Sequence, residues 1–314
     1  MEYPALEDNG LILVARIRSH LDDPRSLSRD VDRGVLVKIR RGVYVRKYLW
    51  DLASDRDRHI LRIRAVLAAA ERPIAVSGRS AAAVWGMPIW GQFPSDVTVL
   101  DEWRGGGRAE PGVRRTSAGF RTARFVDVDG IRVADLTRTA VDIARQNSLA
   151  NAVGSVDWAL WRKNPQAITG EMLADDIRNL DPSLGRRRLE RVAGFATPLS
   201  DSFGESRCRA VIHLLGFETP ELQVEFRDER GAMYPDFFWR GVRAAAEFDG
   251  KQKYTRDEFT QGDPAQVVWR EKKREDRLRR QLQGFTRILS SDVDHPERLA
   301  ALLDDAGVPR GRRS

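Results

Sequence analysis

Tyr234-Pro235-Asp236-Phe237-Phe238-Trp239, then after four residues Ala244-Ala245-Ala246-Glu247-Phe248-Asp249, and then Gly250-Lys251-Gln252-Lys253-Tyr254, is the stretch that decides the fold of this 314-residue chain. Residues 233–239 and 244–249 are apolar runs of strand length, and Arg240-Gly241-Val242-Arg243 between them supplies a turn. Side chains alternate along a strand, so Asp236 takes the face opposite Pro235 and Phe237, while Ala245, Glu247 and Asp249 share one face. Burying an isolated carboxylate among aromatic and alanyl neighbours costs several kcal/mol unless it is paired. Acids in this setting need partners, and a divalent cation is one.

The flanks supply companions. Asp201 or Ser202 is placed to cap a helix that Gly216 ends, and Glu205, Cys208, Ile212 and Leu215 fall on one stripe of it. Glu205 is the polar member of that stripe, although Arg209, four residues on, offers it a simple helix pair instead. Residues 222–226 open a sheet that continues into the two strands. Residues 267–283 read as a helix with Val268, Glu271, Glu275, Leu278 and Leu282 on one stripe. Lys272 stands beside Glu271, while Arg270, Lys273, Arg274, Arg277, Arg279 and Arg280 fan outward as a phosphate-tracking surface. A strand over 285–289 and a helix over 296–303 close this region.

Toward the N-terminus, residues 11–21 read as one helix and 25–33 as a second, ended by Gly34. A hairpin follows, with strands over 35–40 and 43–46 and a turn at Arg41-Gly42. Helix, helix and two-stranded wing make a winged helix, whose second helix enters the major groove. Arg25, Ser28 and Arg29 lie on the outward side of that helix, and the wing brings Lys38, Arg40 and Arg41 to phosphates. Between the two ends run a helix over 55–70, a strand over 74–76, a helix over 79–85, a strand over 97–100 and a hairpin of 121–127 with 131–134 across Asp129-Gly130, then four helices over 137–146, 149–162, 169–179 and 184–192, with no catalytic cluster. The expected class is a multidomain α+β and α/β chain. It comprises a winged helix (1–50), a mixed α/β connector (51–196), a C-terminal α/β core (197–308) and a basic tail (309–314).

Charge bounds the function. The 53 basic residues against 46 acidic leave a net +7, which suits nucleic acid or another anionic surface. A single cysteine excludes a disulfide framework and a cysteine zinc site, and the four histidines show no metal-ligand spacing. Neither a run of about 18 apolar residues nor a signal-peptide pattern is present, so the expected location is cytoplasmic, with no membrane partner.

Two resemblances attach to these motifs. "DVDRGVLVKIRRGVYV" (30–45) and "SGRSAAAVWGMP" (77–88) resemble the N-terminal part of AbiEi-type antitoxins of type IV toxin–antitoxin systems, with Gly78 where that family often has histidine. "GESRCR" (204–209), "YPDFFW" (234–239), "EFDGKQKY" (247–254) and "EKKREDRLRRQ" (271–281) resemble the PD-(D/E)xK nuclease superfamily, and more narrowly its very-short-patch-repair-like endonucleases. The second resemblance implies a restriction-endonuclease-like α/β core over 197–308 and a metal-dependent DNA endonuclease that hydrolyses phosphodiester bonds with Mg²⁺ or Mn²⁺. Its catalytic set here is Glu205, Asp236, Glu247 and Lys253, and its metal ligands are Asp236, Glu247 and Asp249. The DNA-contacting set is Arg25, Ser28, Arg29, Lys38, Arg40, Arg41, Arg274 and Arg277, and Lys251, Glu271 and Lys272 are secondary candidates for the acid cluster. One departure matters. The superfamily lysine stands two residues after the second acid, where this chain has Asp249. Either Lys253 or Lys251 supplies the cation from beyond Gly250, or the domain binds DNA without cutting it. In the latter reading the chain is an AbiEi-like antitoxin or transcriptional regulator. DNA is the expected partner in both, with a cognate toxin or a second copy of the chain beside it.

Overall fold

This computed structural model describes residues 10–14, 24–102, 110–117, 119–180, 185–250 and 264–311, without the side chains of 24–26, 264–268, 270 and 271. The chain is mixed α/β, with its strands in several small sheets. It divides into two compact units, residues 1–146 with 168–189, and 147–167 with 190–314. No helix among the described residues is long and apolar enough to cross a membrane.

In the first unit, β1 (Leu11–Leu13) and β2 (Leu36–Arg40) flank β3 (Val43–Arg46) in an antiparallel sheet. The helix expected over 11–21 therefore does not begin at Leu11. An apolar run this short carries no period of its own, and pairing with β3 buries all three residues. The β2–β3 turn holds Gly42 at φ +76°, a conformation that costs glycine little. Leu27 of α1 (Pro24–Asp32) packs on Ile12 and Leu36. After α2 (Lys47–Leu52), α3 (Asp55–Ala68) starts where Ser54 Oγ accepts the Asp57 N–H at 3.1 Å. Ala65 of α3 meets Leu11, Leu13 and Val43, while Ile63 and Val66 meet the next sheet.

That sheet runs in the order β6-β5-β4-β8-β7, built from β4 (Ala75–Val76), β5 (Val97–Leu100), β6 (Val113–Thr116), β7 (Phe125–Val128) and β8 (Ile131–Ala134). α4 (Gly78–Trp85) and α5 (Leu136–Gln146) accompany it. Asp142 in α5 is buried between Arg138 at 3.0 Å and Arg145 at 2.9 Å. His59 of α3 is fully buried, with its Nε2 2.8 Å from Ser80 Oγ of α4 and its ring stacked on Phe93. Burial, reinforced by the Arg62 charge, lowers its pKa to about 4.

The second unit takes in α6 (Leu149–Leu160), which the sequence placed in the connector. α7 (Gly170–Arg178) returns to the first unit, and α8 (Arg186–Phe195) carries the chain from the first unit into the second. α6 packs on α9 (Phe203–Leu214) so closely that a Cβ at Gly154 would stand 2.5 Å from the Phe203 ring. Asp157 of α6 is buried beneath, accepting the Thr197 N–H at 2.7 Å and Arg209 Nη2 at 3.1 Å. Burial pushes the Asp157 carboxyl up, and the Arg209 charge pulls it back.

β9 (Phe226–Asp228) and β10 (Gly231–Met233) form a two-stranded hairpin. β11 (Phe237–Trp239), β12 (Ala244–Asp249) and β13 (Gly284–Leu289) form a sheet in that order, with the first pair antiparallel and the second parallel. α10 (Pro264–Arg279) lies between β12 and β13 in the chain, and α11 (Ser290–Val293) and α12 (Pro296–Asp305) follow. The single strand expected over 233–239 is thus two, interrupted at Tyr234-Pro235-Asp236. Pro235 has no N–H to give a ladder, so each half finds a different partner. One face of the three-stranded sheet sends Phe237, Trp239, Ala246, Phe248 and Ile288 against Cys208 and Ile212 of α9. The other sends Phe238 and Ala245 against Leu278 of α10.

Candidate functional site

The alternation that turns Phe248 toward α9 turns Glu247 and Asp249 toward α10. Asp236 stands just before β11, whose pairing with β12 begins at Phe237↔Ala246. Asp236 Oδ2 accepts the Phe248 N–H at 2.7 Å, so this carboxyl takes the place of a ladder acceptor where Pro235 has broken the strand. Glu247 is 6% exposed, and its carboxylate pairs with Arg274 of α10. Across the parallel pairing, Glu247 stands opposite Arg287 of β13. Arg287 reaches Asp249 at 3.7 Å and Glu275 of α10 at 2.5 Å, and Glu275 also takes Arg279 at 2.6 Å. The α10 face of the sheet is therefore a network of alternating charges.

Two basic residues expected to point outward point inward instead. Arg274 lies one turn from Leu278, whose side chain is fully buried on the sheet, so it shares the inward face and meets the buried acid there. Arg277 holds both oxygens of Asp228, with Nε at 2.7 Å, and donates to the Gly231 carbonyl at 3.2 Å, fastening the β9–β10 hairpin to α10. Its guanidinium lowers the Asp228 carboxyl to about 2. Lys272, the secondary candidate beside Glu271, is exposed.

Glu205 has a capping role. Its Oε1 accepts the Ser202 O–H at 2.8 Å and its Oε2 the Asp201 N–H at 3.0 Å, while its own N–H donates to Ser202 Oγ at 3.1 Å. The Ser-x-x-Glu spacing of 202–205 is the sequence signal for such a reciprocal cap. Glu205 belongs to α9, across the sheet from Glu247, but remains within electrostatic reach of Asp236's surroundings. Burial pushes the Cys208 thiol well up, and both Asp236 and Glu205 add to that push. Lys251 and Lys253 lie outside the described residues, as does the side chain of Glu271.

On the N-terminal elements, Ser28 and Arg29 are exposed on α1, and Lys38 and Arg41 are exposed on the hairpin. The side chain of Arg25 lies outside the described residues. Arg40 is engaged, with Nη2 2.6 Å from Glu110, whose carboxyl Arg40 and Arg115 hold below its usual range.

Among the described residues no group of three or more His, Cys, Asp and Glu side chains is placed to hold a metal ion. What β12 and its flank offer is Asp236, bonded to the Phe248 N–H, and the adjacent Glu247. Their oxygen donors suit a hard cation, and Mg²⁺ is commonly held through one or two carboxylates with water and phosphate completing its shell. The sequence reading missed Arg287 and Asp228. A lone charge inside an apolar strand, as in Thr286-Arg287-Ile288, is the same signal that singles out Glu247.

No protein-family model matches the chain, and no curated protein does. Among solved structures it is similar to the RV2827C protein from Mycobacterium tuberculosis, at 18% identity over 60% of this chain and 69% of that one. The TM-score of 0.34 makes this likeness too remote to argue fold or function from.

Proposed function

We propose that this protein binds DNA and hydrolyses its phosphodiester bonds at a Mg²⁺- or Mn²⁺-dependent centre on the α10 face of the β11–β12 pair. The observation that carries this reading is that Asp236, just before β11, accepts the N–H of Phe248, the β12 neighbour of the buried Glu247, with Asp249 two residues beyond Glu247 on the same strand. Scaffolding alone is served more cheaply by an apolar residue at position 247, since a buried carboxylate must be compensated. A bound cation would supply charge neutralisation at the phosphate and a more acidic water. Asp236 and Glu247 would hold it, and the Phe248 N–H fixes the Asp236 carboxyl in place.

Two arrangements support the reading. The order helix, antiparallel pair, helix, parallel third strand accords with the resemblance to PD-(D/E)xK nucleases. A helix followed by a hairpin carrying exposed Lys38 and Arg41 accords with the winged helix and the AbiEi-like N-terminus.

One observation favours a second reading, an AbiEi-like antitoxin or regulator whose nuclease-like unit binds DNA without cutting it. Asp249 occupies the lysine position, and Arg274 already balances Glu247. Incubating the purified protein with supercoiled and linear DNA and either metal separates the two readings. Cleavage that falls by roughly 10²-fold or more in Asp236→Ala and in Glu247→Ala supports the first. DNA binding with no cleavage of any substrate, or cleavage indifferent to both substitutions, removes it. In the same assays Lys38→Ala with Arg41→Ala weakens binding and reduces the slope of log affinity against log salt by about 0.9 for each phosphate no longer neutralised. An unchanged slope takes the hairpin out of the DNA interface.

A further inference from the structure

We propose that Arg274 and Arg287 are the phosphate-binding cations of this site, parked on its carboxylates until a DNA phosphate draws them off. The inference rests on the reading of Asp236 and Glu247 as a cation-holding pair, and it names what replaces the lysine that β12 lacks.

Three observations carry it. First, the position on β12 that would present a cation presents Asp249, and the cations that face the acids come from two neighbouring elements instead. Arg287 stands on β13 in register with Glu247, and Arg274 reaches Glu247 from α10. Second, the charges are layered. The Glu247 and Asp249 side chains are 9% and 17% exposed, whereas those of Arg274 and Arg287 are 29% and 42% exposed. A ligand arriving from solvent meets guanidinium before carboxylate. Third, the chemistry matches: a guanidinium presents paired N–H donors in a planar fork that suits two phosphate oxygens as well as it suits a carboxylate.

The layering has a thermodynamic consequence. A divalent cation approaching Glu247 competes with Arg274, and one approaching Asp249 competes with Arg287, which Glu275 holds more closely, at 2.5 Å against 3.7 Å. A phosphate that takes the arginines leaves the carboxylates open to the cation. DNA and cation therefore bind with positive coupling, and linkage makes the effect reciprocal. The group recognised is the backbone phosphodiester, with no base contact needed, and the cation fills the site only with substrate present.

The test follows binding of a fluorescent DNA duplex by the full-length protein, with and without Ca²⁺, over a range of salt. In the unsubstituted protein, Ca²⁺ tightens binding by about 5-fold or more. Glu247→Gln releases Arg274, so it tightens cation-free binding and abolishes the response to Ca²⁺. Arg274→Gln with Arg287→Gln weakens binding, lowers the salt slope by about 2 and brings the Ca²⁺ response below about 2-fold. The corresponding double lysine variant keeps most of the slope. If the double glutamine variant does not fold, Arg287→Gln alone carries the test with about half the change in slope, since Arg287 sits on an edge strand. A Ca²⁺ response that vanishes in Glu247→Gln but persists undiminished in the arginine variants overturns this inference and leaves the cation pair standing. DNA binding indifferent to Ca²⁺ and to Glu247→Gln alike overturns the pair, and this inference with it.

Discussion

Replacing Arg209 with alanine lowers the stability of the second unit by about 3–5 kcal/mol, because it leaves a buried carboxylate without its cation. Asp157 is 1% exposed and Arg209 5%, so neither group is solvated by water in the folded state. The substitution also removes the hydrogen bond of 2.9 Å from Arg209 Nη1 to the Phe195 carbonyl and the stacking of the guanidinium over the Phe195 ring. Burial already pushes the Asp157 carboxyl upward, and without Arg209 the group takes a proton on folding. Replacing both partners, Asp157→Leu with Arg209→Met, restores much of the loss, because no charge is then stranded. Urea denaturation of the two variants beside the unsubstituted protein checks this. A loss below about 1 kcal/mol in Arg209→Ala, or a double variant no better than the single, contradicts it.

Acidification weakens the first unit through His59. Its folded pKa of about 4 lies below the ordinary value of 6.5, so between those limits the unfolded chain binds a proton that the folded chain refuses. Stability is therefore complete above 6.5, falls as the pH drops toward 4, and changes no further on this account below that. At about 1.4 kcal/mol for each pH unit between the two values, the whole effect is about 3 kcal/mol. The cause is burial first and the neighbouring Arg62 charge second, with Arg79 adding and Asp55 opposing. Carboxylates begin to titrate at the lower end of this window, so the measurement is a difference. The slope of unfolding free energy against pH from 6.5 to about 4 is shallower in His59→Gln than in the unsubstituted protein. Equal slopes remove His59 as the origin.

The elements legible in the sequence are those whose signals are local. Residues 97–100 and 244–249 are apolar runs closed by turn residues, and the strands fall at those limits. Asp55 to Ala68 is a helix with Ser54 as its cap, close to the expected 55–70. The Asp129-Gly130 turn joins β7 and β8, with both residues at positive φ. The misreadings arise where a distant segment decides. Leu11–Leu13 has the composition of a helix start and becomes a strand because Val43–Val45 is there to pair with it. Tyr234-Pro235-Asp236 breaks a strand whose two halves answer to different neighbours. In the candidate site, Asp236 and Glu247 stand out as charges in apolar strands, which is a local signal. That Arg274 and Arg277 turn inward depends on where Glu247 and Asp228 lie, which no periodicity along residues 264–279 encodes. Glu205 reads along its stripe as a metal-assisting acid or a partner of Arg209, yet Ser202 three residues before it already spells a cap.

The route of the chain between its two units bears on how the protein can be made and divided. Residues 147–167 enter the second unit, 168–189 go back to the first, and 190 onward re-enter the second. Neither unit is a contiguous piece of the polypeptide. A gene fragment beginning at 197 would produce α9 without α6, leaving Arg209 without Asp157 and the ring of Phe203 without the bare backbone of Gly154. During synthesis α6 leaves the ribosome well ahead of the helix that covers it, and its Asp157 waits through the intervening first-unit segment for its cation. An isolated second unit that retains its packing must therefore carry residues 147–167 as well as those from 190 on, joined by a linker in place of 168–189.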